Sequence, residues 1–292
     1  MPRWLERRVH RIERAQALDA AADRVAGLLE RPLRSSARLR GLLSGTPFGH
    51  PVHPLLVAVP IGSFVAASAM DVAGEAVAAR RLIALGLASA VPTAATGGSD
   101  WVYTSGAERR VGFVHATCNW LALAGYATSW RARQQGRTAA GIGWSAAGGA
   151  LLSIGGWLGG HLVYARGVGV DTTAFLTASD TWQSVIAEAE LADGQPHAVE
   201  VGGTSVVLVR QGDVVHALDD RCSHRGGPLH EGQVADGCID CPWHGSSFRL
   251  ADGSVQAGPA SRPQRVWQVR RAGGTVQLRR GVEAGTLRTN AV

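Results

Sequence analysis

The strings CSHRGGPL at residues 222–229 and CPWHGSSF at residues 241–248 decide the reading of this chain. Each supplies one thiol and one imidazole, Cys222 with His224 and Cys241 with His244, and 16 residues separate His224 from Cys241. Two cysteines and two histidines so placed point to a metal, because thiolate and imidazole are the donors that transition metals select. A zinc finger runs Cys, Cys, His, His; here each string carries one donor of each kind. Around the two strings, from Trp182 onward, the sequence breaks into short alternating segments such as AVEVGG, SVVLVRQG, VVHALDD and RVWQVRRAGGTVQLRR. Gly and Asp punctuate them, which predicts an antiparallel all-β domain of about 100 residues.

The paired strings, with the AGPA at residues 257–260, resemble the Rieske iron–sulfur family. That resemblance implies an antiparallel β-sandwich over residues 182–281 holding a [2Fe–2S] cluster, with two cysteines on one iron and two histidines on the other. Carried over, Cys222 and Cys241 bind the inner iron, and His224 and His244 bind the outer one. Gly226, Gly227 and Gly245 let the loops close around the cluster, and Pro259 belongs to the loop that covers it. Two departures separate the chain from Rieske proteins of cytochrome bc complexes. Their disulfide cysteines are replaced by Gly227 and Trp243, and Phe248 stands where a hydrogen-bonding Tyr would, although Ser246 matches the Ser donor. The resemblance is therefore to the ferredoxin type, with a potential toward the low end of the roughly −150 to +300 mV Rieske range. Cys238, three residues before Cys241, is expected to be a buried strand residue.

Upstream lie four uncharged runs, at residues 54–70, 82–99, 111–130 and 138–165, separated by short charged loops. Each approaches the roughly 20 residues of a spanning helix, and none shows the polar face of a soluble bundle. Four transmembrane helices over residues 46–166 are the expectation, with a linker at 167–181 and a tail at 282–292. Residues 1–45 carry Leu5, Val9, Ile12, Leu18, Ala22, Val25 and Leu29 at helical spacing, which predicts a basic amphipathic segment on the membrane surface. Of the net charge of +6, residues 1–49 hold 10 Arg against 5 acidic residues, a balance that fits anionic lipid rather than nucleic acid.

GHPVHPLLVAVPIGSF, GGSDWVYTSG and GWLGGHLVYARGVGVD resemble a bacterial four-helix membrane family, domain of unknown function 2231, over residues 46–172. An up-down-up-down bundle puts His53, His115, His161 and Asp100 at one end. Histidines are rare in spans and usually functional. Candidate roles are ligation of a b-type haem by His115 and His161, a metal held with His53, or a quinone pocket. Gly155, Gly156, Gly159 and Gly160 offer room for a macrocycle, or equally for close helix packing.

An aromatic-ring oxygenase needs a second large domain with its own iron site, and the bundle occupies that length of chain. The expectation is a multi-pass protein of the bacterial inner membrane that exchanges single electrons with a partner protein or quinone. It is a component of an oxidoreductase system, with a purely structural bundle in a tethered carrier or redox sensor as the alternative. The Arg distribution, the missing disulfide and the lack of an Arg pair in RARQQGR favour a cytoplasmic β domain.

Overall fold

The structure, a computed structural model, describes residues 3–176 and 180–280, with the backbone only for residues 3–5. The expected tail and residues 177–179 of the expected linker lie outside the described residues. The chain forms two units, Met1–Gly45 with Pro51–Val170, and Thr46–His50 with Asp171–Val292.

The amphipathic segment is three helices rather than one, α1 (Arg3–Arg14), α2 (Asp19–Ser35) and α3 (Ala37–Ser44). A 3₁₀ turn at Gln16–Leu18 separates the first two, and the Ser36 hydroxyl caps α3 by accepting the Leu39 N–H at 3.2 Å. One face of the segment packs on the bundle. Val9 joins Val111, Leu158 and Leu162 in one cluster, and Leu33 joins Val102 and Tyr103 in another.

Four helical runs follow: α4 (His53–Leu56) continued by α5 (Ala58–Val72), then α6 (Ala76–Trp101), α7 (Gly106–Gln134) and α8 (Thr138–Tyr164). Three of them, His53–Val72, Ala76–Trp101 and Thr138–Tyr164, are long and apolar enough to cross a membrane. α7 is as long but carries His115, Thr117, Asn119 and charged ends, which lower its hydropathy. α7 lies along α8 and α5 along α6, while α6–α7 and α5–α8 contacts close the ring. The interior is built by close approach: Phe64 stacks on Tyr126 at 3.8 Å, and a side chain at Gly86 would meet the Phe64 ring at 2.5 Å. Leu55, Val65, Val91, Leu121 and Ile154 point outward, so apolar residues coat the surface that water would otherwise wet.

Polar groups cluster at both ends. At one end Arg133 clasps Asp71 with two bonds of 2.6 and 2.7 Å, and Ser129 links Arg133 to Gly141 and Ser145. At the other, Arg110 holds Asp19, Arg109 holds Asp23, and Glu13 takes His10, His161 and Arg166.

The second unit has three antiparallel sheets. β1 (Gln183–Ala187), β10 (Thr275–Arg280) and β9 (Trp267–Ala272) form one, with β10 central. β2 (Pro196–Val201), β3 (Thr204–Gln211) and β4 (Val214–Asp219) form the next, and Ile186, Val201, Leu208, Trp267 and Leu278 fill the core shared by these two. β5 (Gln233–Ala235), β6 (Cys238–Asp240), β7 (Ser247–Arg249) and β8 (Val255–Ala257) form the third. Its strands are three residues each, so it presents loops rather than surface.

Glu13 gives the fold a pH test. Burial raises its carboxyl, but hydrogen bonds from Arg166, His10 and His161 outweigh burial and hold it down at about 2, from 4.5. A lowered folded-state value stabilises fully above pH 4.5 and is lost as pH falls toward 2. In detergent, the difference in Tm between wild type and Glu13→Gln should be widest above pH 4.5 and close toward pH 2. A difference constant with pH would show that the carboxylate charge is not what holds the helices.

Candidate metal centre

The two Cys/His strings fold into the same turn made twice. Cys222 N–H donates to Gly227 O at 2.9 Å, and Gly226 N–H returns to Cys222 O at 2.8 Å. Cys241 N–H donates to Ser246 O at 2.8 Å, and Gly245 N–H returns to Cys241 O at 3.0 Å. Gly226 and Gly245 hold the same place in the turn, with φ of 77° and 70°, a left-handed conformation that a side chain resists. The first turn follows β4 and the second joins β6 to β7, so the two strands of a tight hairpin hold the second turn's ends.

Each turn aims backbone amides at its own sulfur. Cys222 Sγ accepts from His224 and Arg225, and Cys241 Sγ from Trp243 and His244. Both sulfurs are buried and hydrogen-bonded to each other. That bond, with the Trp243 and His244 amides, brings the Cys241 thiol down to about 7 against the effect of burial, while the same bond and burial push Cys222 up. The His224 and His244 rings stand edge to face, centroids 5.1 Å apart, and both are half-buried. Burial, then the charges of His244 and Arg225, lower His224 to about 3, so the ring is neutral and able to ligate at neutral pH.

The donors stand in two pairs, sulfur with sulfur and ring with ring. Among the described residues, no three His, Cys, Asp or Glu side chains converge on one metal ion. A group with two metal atoms, one facing each pair, fits the donor set better than a single ion does. Gly227 makes room: a Cβ there would stand 2.8 Å from Cys241 Sγ and 3.0 Å from the Trp243 ring. Phe248 is fully buried in the same apolar cluster as Cys222, Cys241 and Leu250.

Three residues that brace the site escaped the sequence reading. The Asp220 carboxylate accepts the His230 N–H and pairs with its Nδ1, both at 2.7 Å, which ties down the far end of the first turn. His230 is thus a latch on the first turn. Gln264 donates to Asp219 O and Arg221 O at 2.7 and 2.6 Å and accepts from Ser223 N at 3.1 Å. The only sequence signal was the position of Asp220, two residues before Cys222. Ser246 Oγ accepts the Ala260 N–H at 3.0 Å, joining the second turn to the Gly258-Pro259-Ala260 loop, and its proton is left to donate elsewhere. Cys238 departs from expectation. It is half-buried and pairs across β6–β7 with Arg249, because strand alternation turns Ile239 inward instead.

Residues 181–270 match the family model described as a Rieske [2Fe-2S] domain, and residues 49–172 match that of a predicted membrane protein, DUF2231. The ferredoxin subunit of anthranilate 1,2-dioxygenase from Burkholderia cepacia is 33% identical over 100 residues, which is 34% of this chain and 93% of that protein. The chain belongs to the Rieske [2Fe-2S] family. Ferredoxin CarAc of Metapseudomonas resinovorans is 32% identical over 30% of this chain and 83% of its own length. The solved ferredoxin of carbazole 1,9a-dioxygenase from Nocardioides aromaticivorans IC177 is 31% identical over 35% of this chain and 99% of its own, with a TM-score of 0.34. The Rieske match thus falls in the β unit, and the DUF2231 match covers the helical bundle.

In that membrane unit the histidines are already engaged. His115 Nδ1 donates to Gly155 O at 2.7 Å, and Asn119 Nδ2 donates to His115 Nε2 at 3.1 Å, so both ring nitrogens are used. His53 Nδ1 donates to Thr93 O at 3.0 Å, and His161 Nε2 to Glu13 Oε1 at 3.1 Å. The room left by Gly155 and Gly159 on α8 is filled, whereas a Cβ at Gly156 would meet nothing within 4 Å. A side chain at Gly155 would collide with Asn119, and one at Gly159 would stand 3.0 Å from His115 Cε1. Asp100 is half-buried near the end of α6 and joins none of them.

Gly227 carries a test of the Rieske site. Gly227→Ala should lose more than half of the iron and inorganic sulfide per chain, because its Cβ has no space beside Cys241 Sγ. Cys238→Ala should lose none, and full occupancy in Gly227→Ala would show that the cradle is looser than its geometry implies.

Proposed function

We propose that this chain is a membrane-held one-electron carrier whose [2Fe–2S] cluster is ligated by Cys222 and Cys241 on one iron and by His224 and His244 on the other. The repeated turn carries the reading: two congruent loops, each offering one amide-supported sulfur and one imidazole. When bound, the cluster supplies a site that accepts and gives back a single electron. The protein's part is asymmetric. Cys222 and Cys241 lie in the apolar core, while His224 and His244 are half-buried beside the exposed Trp243, Pro242 and Gly245, so partners reach the histidine side. Ser246, with its hydroxyl proton free, is the donor that stabilises the reduced, more negative state. Phe248 offers none, which keeps the potential low.

The donor and acceptor are redox proteins, a reading supported by a relative that is the ferredoxin subunit of a dioxygenase. The bundle serves as an anchor in the bacterial inner membrane, with the Rieske domain in the cytoplasm, where free thiols persist. Relay through haem b, a metal or a quinone in the bundle is the weaker reading, since His53, His115 and His161 each hold a hydrogen bond to a backbone carbonyl or carboxylate.

Full-length protein should hold two irons and two sulfides, and show the reduced-state EPR signal of a mixed Cys/His cluster. His224→Ala and His244→Ala should abolish that signal. Its absorption spectrum should lack a Soret band; a Soret band bleached by His115→Ala would replace the anchor with a relay. Phe248→Tyr should raise the midpoint potential by roughly 20–60 mV, the electrical equivalent of one hydrogen bond. A wild-type midpoint near the upper end of the Rieske range, roughly +300 mV, would overturn the ferredoxin assignment.

A further inference from the structure

α2 turns two faces to different surroundings. Ala22, Ala26 and Leu33 are buried, Leu33 against Val102 and Tyr103 just past the end of α6. Arg109 and Arg110, at the start of α7, reach Asp23 and Asp19 on the same helix at 2.7 and 2.6 Å. α2 therefore lies across the ends of α6 and α7, at the depth where a span meets lipid headgroups.

Its outer face is an open cleft of about 430 Å³ whose lining includes Arg24, Gly27, Leu28 and Arg31. Leu28 is 56% exposed, and Val25 and Leu29 beside it are exposed as well. The two acidic groups at the cleft are spent, Asp23 on Arg109 and Glu30 on Arg34 at 3.0 Å. Arg24 and Arg31 make no ion pair among the described residues. Seven residues apart, they project from one helix face about two turns from each other. Between them a Cβ at Gly27 would have nothing within 4 Å, so the floor of the cleft is open.

Two unpaired guanidiniums around an open floor, with an exposed leucine beside them at interfacial depth, match one kind of molecule. We propose that the cleft seats the phosphate of an anionic phospholipid from the bilayer that the same unit spans, while Leu28 enters the acyl boundary. Phosphatidylglycerol offers its phosphate to both arginines. Phosphatidylcholine brings a quaternary ammonium that the second arginine repels. Free phosphate satisfies the arginines but makes no use of Leu28.

The test uses the detergent-solubilised full chain with its cluster intact, titrated separately with phosphatidylglycerol, phosphatidylcholine and inorganic phosphate, reading the midpoint of thermal stabilisation. Phosphatidylglycerol should act at a concentration at least about tenfold below phosphatidylcholine, given roughly a fivefold gain per arginine at an anionic surface. R24Q/R31Q should raise the phosphatidylglycerol midpoint about 30-fold and leave phosphatidylcholine unchanged. G27L fills the floor at a position where added atoms meet nothing, so it should fold at least as well and still weaken phosphatidylglycerol. If R24Q/R31Q does not fold, G27L decides alone. An unchanged phosphatidylglycerol midpoint in the variant that folds overturns the proposal. So does stabilisation by inorganic phosphate equal to that by the lipid, which would make the seat a site for a free anion.

Discussion

A sulfur that must carry negative charge inside an apolar core needs donors at hand, and the nearest are backbone amides of its own turn. Everything around the centre follows from that need. To aim two amides at Cys222 or Cys241, the chain must curl back within five residues, and the curl places a glycine at the left-handed position. The curl also throws a histidine outward, at the second position after Cys222 and the third after Cys241. β6 and β7 pin the ends of one turn, while Asp220, His230 and Gln264 pin the other. The site is rigid because its backbone is saturated with hydrogen bonds, which makes the electrostatic support around the sulfurs a fixed feature.

The membrane unit obeys a related rule in a drier setting. Where water is absent, each polar group has to find a protein partner. Asp71 and Arg133 find each other, Thr93 and Gly155 lend carbonyls to His53 and His115, and Glu13 gathers three cations or imidazoles. A histidine within a span thus need not be a ligand; it can join helices by hydrogen bonding to a backbone carbonyl on a neighbouring helix.

Much of this was legible in the sequence, and the reasons are physical. Two strings with matched Cys and His positions define a donor set before any fold is known. Uncharged runs of span length mark the apolar helices, with α7 harder to read because polar residues are interspersed along it. What stayed hidden was pairing across long separations. Gln264 lies 41 residues from Ser223, and no local pattern marks it. His161 looked like a ligand because its partner, Glu13, sits 148 residues away on a helix whose periodicity spoke only of amphipathicity. Gly155 and Gly159 of α8 suggested space, yet that space is taken by Asn119 and His115 from α7, a fact of helix register. Cys238 shows the smallest error, one residue of strand parity.

Under the function proposed above, the outward apolar coat, Leu55, Val65, Val91 and Ile154 among it, changes how such a carrier searches for its partners. A freely soluble ferredoxin meets them in three dimensions, at a rate set by its concentration in bulk. A carrier held in a sheet of lipid diffuses laterally, and its encounters with other membrane-held proteins scale with copies per unit area. Confinement raises the effective concentration of such partners without a single added contact. Tight docking becomes unnecessary, and weak, quickly released complexes suffice for repeated deliveries of one electron.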